Sequence, residues 1–247
     1  MCPPRTDNRR KVLSKERSRE TLSAHSRLSD HPHVNPVLEV VVGPTRTCLV
    51  FPPARADLHA HVRSRRRLPE HEARPLVAQI ARTLAAAHRA GLVLRDLKLR
   101  KFLFTDHNRT EVKLESLEDA VVLSDPEDDW LDVKHGCPAY VSPEILSPGG
   151  RYCGRAADCW SLGVLTYAML VGRYPFHDPH HAGLFTKIRH GAFTIPDSLS
   201  PRARCLIRSL LRRDASERLS AQDVLAHPWF HEPLPNPDPT DQCVPSI

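Results

Sequence analysis

The chain has no G-x-G-x-x-G run, no CxxC pair and no uncharged apolar stretch long enough to cross a bilayer. The first absence removes the usual glycine cradle in which backbone N–H groups hold the phosphates of a nucleotide. The seven cysteines are odd in number and scattered, which argues against a disulfide framework and a zinc module and points to a reducing compartment. The opening MCPPRTDNRR lacks the apolar core of a signal peptide, so a soluble, intracellular protein is expected. Aromatic residues make up only 6% of the chain. Without an aromatic-rich reading surface, the formal charge of +6 does not point to nucleic acid.

What is present suits one main domain. At 247 residues and 40% hydrophobic positions, the chain can bury one substantial core with terminal extensions. Charge is uneven from end to end: residues 1–35 hold eight Lys/Arg against four acids, whereas 231–247 hold three acids and no Lys/Arg. Residues 1–10 are polar and contain proline, and read as a disordered start. Alternation over 37–42 and 47–51 around Gly43-Pro44 predicts an antiparallel hairpin.

Further on, the spacing of Leu76, Ile80, Leu84, Ala87 and His88 predicts a helix over 70–90 with one buried face, although Pro75 removes a backbone bond if the helix begins before it. Residues 155–171 are apolar on every side, which predicts a helix inside the core. Ser200 with Pro201 makes a cap and first position, and Ser220 with Asp223 a capping box. From Pro228 onward, six prolines in twenty residues argue against further helix. A few strands followed by mostly helices gives an α+β class.

The chemistry-bearing motifs lie in the middle of the chain. LVLRDLKLRKF (92–102) resembles the catalytic loop of protein kinases, in which an Asp takes the substrate hydroxyl proton, a Lys steadies the transferred phosphoryl group and an Asn five places after the Asp holds magnesium. Asp96 and Lys98 match, but the metal-binding Asn is replaced by Lys101, whose ammonium has only donors and repels a cation. In KLESLED (113–119), Ser116 stands where the second metal ligand, the Asp of DFG, is expected. A neutral hydroxyl is a weak ligand for a hard dication. Glu115 and Glu118 read first as a solvated hairpin edge, with the alternative that they reach inward in place of the missing ligand. SPE (142–144) and DCWSLG (158–163) match architectural parts of the large lobe. They imply that Asp158 accepts catalytic-loop backbone N–H groups and that Glu144 pairs with Arg218. Lys11 in KVLS is the candidate for the strand-borne, cofactor-binding nucleotide lysine, with Glu20 as its partner, and reads equally well as a solvated surface residue.

Together, LVLRDLKLRKF, KLESLED, KHGCPAYVSPEIL, SLGVLTYAMLVGRYPFHD and HPWF resemble the Tribbles family of pseudokinases over residues 11–230. The resemblance implies a protein-kinase-like fold with an incomplete β-rich small lobe (11–52), a mostly helical large lobe (53–230) and a flexible tail (231–247). The family's first two strands have no counterpart, which suggests a truncated product or an incomplete gene model. The function implied is that of an adaptor in nucleus and cytoplasm. It recruits an E3 ubiquitin ligase of the constitutive photomorphogenic type to clients such as CCAAT/enhancer-binding transcription factors, and it binds MAP kinase kinases and the kinase Akt.

Asp241, Gln242, Val244 and Pro245 match the family's ligase-docking motif, with Ser246 in place of an acid, and the linker before them is shorter than the family's. His227, Pro228, Trp229 and Phe230 match its region for MAP kinase kinases, with Trp229 read first as packing the last helix. The client would dock on the activation segment, 118–143. No cofactor, no nucleic acid and no membrane partner is implied. The alternative is a weak, metal-independent Ser/Thr kinase using Asp96 and Lys98, with weak metal-independent ATP binding left open.

Overall fold

The computed structural model describes residues 8–148 and 150–231. Strand β1 (Arg9–Ser14) starts inside the stretch, residues 1–10, expected to be disordered. It pairs antiparallel with β3 (Arg46–Phe51), which pairs on its other side with β2 (Glu39–Val42), giving the order β1-β3-β2. The predicted hairpin is thus the β2-β3 pair, closed by Gly43 N–H donating to the Arg46 carbonyl at 2.8 Å. Helix α1 (Lys15–Ser26) follows β1 directly. The Ser14 hydroxyl caps it by accepting from Arg17 N–H at 3.2 Å.

Helices then dominate. Asp57 caps α2 (Leu58–Arg65), and α3 (Glu70–Arg89) spans the predicted window. Pro75 does lie inside α3, but it is exposed. The carbonyl that loses its helix donor belongs to exposed His71, where solvent can take the place of the missing bond. Four two- or three-residue strands follow: β4 (Leu92–Val93) pairs with β7 (Val121–Val122), and β5 (Phe102–Phe104) with β6 (Val112–Leu114). A further pair, β8 (Trp130–Leu131) and β9 (Tyr152–Cys153), leads into α4 (Gly154–Val171).

Nearly every residue of α4 is buried, as its all-round apolar sequence requires. Gly163 is where α6 (Pro201–Leu210) crosses it. A Cβ there would meet side-chain atoms of Leu210 and Leu211 at 2.8 Å, so only glycine lets the two helices approach this closely. Beyond α5 (His181–His190) and α6 come α7 (Ala221–Ala226) and α8 (Pro228–His231). The Ser220 hydroxyl accepts from Asp223 N–H, as the capping box predicted.

The one-turn α8 is a correction, because proline content had argued against helix from residue 228 on. Pro228 occupies the first helical position, where its missing N–H is no loss. A single carboxylate fixes this end of the molecule. Glu70, the first residue of α3, accepts from Ser200 N–H at 2.7 Å, the Ser200 hydroxyl at 2.8 Å and the Trp229 indole N–H at 2.8 Å.

Candidate functional site

The loop between β4 and β5 carries Asp96 and Lys98, and its shape is set from below. Asp158, near the start of α4 and only 1% exposed, accepts from Leu94 N–H and Arg95 N–H, each at 2.8 Å, and faces His88 Nε2 at 3.0 Å. A buried carboxylate needs donors, and two backbone amides supply them whatever side chains the loop carries. Arg95 sits at φ 60°, a left-handed turn that this anchoring holds in place. Further out, Glu144 and Arg218 form the expected two-pronged pair, at 2.5 and 2.7 Å. The Arg218 guanidinium also lies 5.0 Å from the Trp160 ring centroid.

Above the loop the chemistry is side-chain to side-chain. Asp96 Oδ2 is 2.6 Å from Lys98 Nζ and 3.7 Å from Lys101 Nζ. Lys101, buried at the end of a 3-10 turn (Leu99–Lys101), donates to Glu118 Oε1 and to Asp119 Oδ2, both at 2.7 Å. Burial alone would favour the neutral amine. The hydrogen bonds to Asp119 and Glu118 overcome it and hold the Lys101 ammonium charged well above the ordinary lysine range. Burial likewise works to raise the carboxyls of Glu118 and Asp119, but Lys101 outweighs it and both titrate below the usual carboxylate range.

The small lobe closes over this cluster. Lys11 Nζ pairs with Glu118 Oε1 and stands 3.4 Å from Glu115 Oε2, Arg9 pairs with Glu115, and Arg17 on α1 reaches Asp119 Oδ1 at 3.1 Å. His135, from the segment after β8, is 3.2 Å from the same Asp119 oxygen. These contacts correct two expectations. Glu115 and Glu118 are not a solvated hairpin edge; their side chains are mostly buried and turned to the basic residues of the small lobe. Lys11 is neither solvated nor partnered by Glu20, which is more than half exposed and, among the described residues, has its ion pair with Arg17. The carboxylates of the hairpin hold the Lys11 ammonium.

Ser116 is only 4% exposed and its hydroxyl has no hydrogen-bond partner among the described residues. It lines a cavity of about 10 Å³ with Asp96, Lys101 and Asp119, room for about one water. Leu117 beside it is core, and its N–H donates to His25 Nε2 on α1 at 3.1 Å. His25 must be neutral to accept. Burial, followed by the nearby Lys11 charge, lowers its pKa to about 4.

The magnesium that a kinase fold uses does not fit these residues. A dication bound by Glu118, Asp119 and Asp96 would have to displace the Lys101 ammonium that three carboxylates already surround. Among the described residues, no three His, Cys, Asp or Glu side chains converge where a metal ion could sit.

The other expected site residues have mixed placements. Trp229 is fully buried, its ring in T-shaped contact with Phe230 at 5.0 Å. Trp229 packs α8 onto α3, the first of its two readings, and of the four matched residues only Pro228 is exposed. Asp241, Gln242, Val244 and Pro245 lie outside the described residues. Within 118–143, Trp130 and Val133 are the large apolar side chains most open to solvent. Reading the sequence missed Arg9, Arg17, His25, Asp119 and His135. Only Asp119 carried a local signal, as the next acid after Glu118.

The fold and this cleft define a protein kinase domain, and the family model of that description matches residues 5–230. Within the kinase domains the chain belongs to the Tribbles family. It is 56% identical to Tribbles homolog 2 of Canis lupus familiaris over 211 residues, covering 85% of this chain and 61% of that protein. Against Tribbles homolog 1 of Homo sapiens the identity is 51% over 224 residues, covering 91% and 60%. Against Tribbles homolog 3 of Rattus norvegicus it is 49% over 251 residues, covering 99% and 72%. The chain thus spans about three fifths of the length of the first two relatives.

Proposed function

We propose that the protein is a pseudokinase adaptor: a kinase-shaped scaffold that recruits an E3 ubiquitin ligase of the constitutive photomorphogenic type to bound clients. The observation that carries this reading is Lys101, whose ammonium lies between Glu118 and Asp119 at 2.7 Å from each. A cation built into the metal position opposes the phosphoryl chemistry that magnesium supports. Meanwhile the ties from Asp158 to the loop and from Glu144 to Arg218 keep the large lobe shaped for binding. Clients of the CCAAT/enhancer-binding type would dock on 118–143, where Trp130 and Val133 offer apolar anchors. MAP kinase kinases and Akt are the kinases whose signalling it would modulate, in nucleus and cytoplasm.

The ligase would take the segment Asp241, Gln242, Val244, Pro245, since a short peptide with an acidic anchor and a Val-Pro plug loses little entropy on docking. Deleting 241–247 is expected to abolish pull-down of the purified ligase and to leave the melting temperature unchanged. Ligase binding that survives the deletion would overturn the reading. One observation keeps the enzyme alternative in view: Asp96 and Lys98 stand 2.6 Å apart, as a catalytic pair would. Phosphate transfer that requires no magnesium and vanishes in Asp96→Asn would establish it; no transfer from a clean preparation removes it.

A further inference from the structure

Solvent-exposed apolar side chains are gathered at one place. Of the seven large hydrophobics most open to solvent among the described residues, five lie on or beside the three-stranded sheet: Val12 (56%), Leu38 (53%), Val40 (40%), Val41 (49%) and Val42 (69%). Four of these belong to β2 or to the residue leading into it. That strand is an edge: β3 pairs with one side of it, and no strand among the described residues pairs with the other. Edge strands are ordinarily blunted by lysine, proline or a bulge, because their free N–H and C=O groups template another strand. EVVV has none of these, and its only charge is Glu39.

We propose that β2 is a homodimer interface, in which two copies of this chain pair their β2 strands antiparallel about a two-fold axis through Val41. The two three-stranded sheets then join into one of six strands. The register follows from charge. With Val41 opposite Val41 of the second copy, Val40 faces Val42 and Glu39 faces Gly43. Gly43 already lies across from Arg46 on β3, and having no side chain it leaves Arg46 free to reach the incoming Glu39 carboxylate. Both Glu39 and Arg46 are exposed. The two-fold makes this ion pair twice, and it continues the apolar row Val12, Cys48, Val41 across both copies. A register centred on Glu39 would instead set two carboxylates opposite each other. Pairing β2 with the basic β1 edge of another copy would not close and would build open chains.

The test is the mass of the full 247-residue chain by sedimentation velocity, from about 1 to 200 µM, the range suited to a small interface. A monomer–dimer equilibrium is expected. Glu39→Arg and Arg46→Glu should each weaken it about tenfold or more, and the double charge swap should restore it. Val41→Lys should leave only monomer, with the melting temperature of each variant reporting that it is folded. A wild-type chain that stays monomeric overturns the proposal. So do masses that grow beyond the dimer, and a dimer indifferent to both charge reversals and to Val41→Lys.

Discussion

The loop bearing Asp96 is held from two sides by different kinds of bond. From below, Asp158 grips backbone amides of Leu94 and Arg95. From above, four carboxylates meet five basic side chains, and each contact there depends on which residue the sequence supplies. A grip on the backbone is indifferent to the side chains of the loop it holds. That difference explains how the loop can carry Lys101, and the hairpin Ser116, while the kinase frame stays intact. The frame and the chemistry are written in separate parts of the sequence.

Four measurements test this division, beginning with the largest effect. Asp158→Ala leaves two buried amides without an acceptor and should lower unfolding stability by about 4 kcal/mol in urea titration. A change under about 1 kcal/mol would mean that the loop is held from above instead.

A backbone tie on the upper side, Leu117 N–H to His25, should show in pH dependence. The His25 pKa is about 4 in the fold against 6.5 for the free side chain, so the unfolded chain binds the extra proton between those values. The stability contributed is fully present above pH 6.5 and is lost as pH falls toward 4, by about 2–3 kcal/mol. His25→Gln should flatten that part of the pH–stability curve, and a slope unchanged in this variant would assign it to other groups.

Lys101→Asn tests the upper side's chemistry. With the ammonium gone, the charge repulsion that bars a dication from the neighbourhood of Glu118, Asp119 and Asp96 is lifted. If the dication's Kd is about 1 mM, 10 mM magnesium stabilises the variant by about 1.4 kcal/mol, a rise of about 3–6 °C in melting temperature. The parent chain should show no rise. Smallest is Lys11→Met, which removes a partly exposed pair and should shift stability by at most about 1 kcal/mol, less in high salt. Salt should leave the effect of Asp158→Ala unchanged.

Much of the frame was legible because it depends on local pattern. Periodicity marked α3 and α4, and capping residues marked α6 and α7. Fixed spacing from Asp96 identified Lys101 and Ser116. The upper side was legible in its residues but not in its contacts. Lys11 and Glu118 are 107 positions apart, and no periodicity links a strand to a hairpin across that distance. The alternation in RRKVLS was masked because arginine and lysine take the inward places, reaching acids rather than apolar core. Trp229 looked available in HPWF because nothing near it in sequence reveals Glu70, its partner 159 residues earlier.

That last pairing also bears on how the molecule is made. A ribosome adding about 5–20 residues per second needs roughly 8–30 s to travel from Glu70 to Trp229. Throughout that interval the first turn of α3 exists without the groups that will cover its carboxylate. Closure at Glu70 therefore waits until Trp229 has been made. A nascent chain stalled before Ser200 presents an acidic helix start that the finished protein conceals.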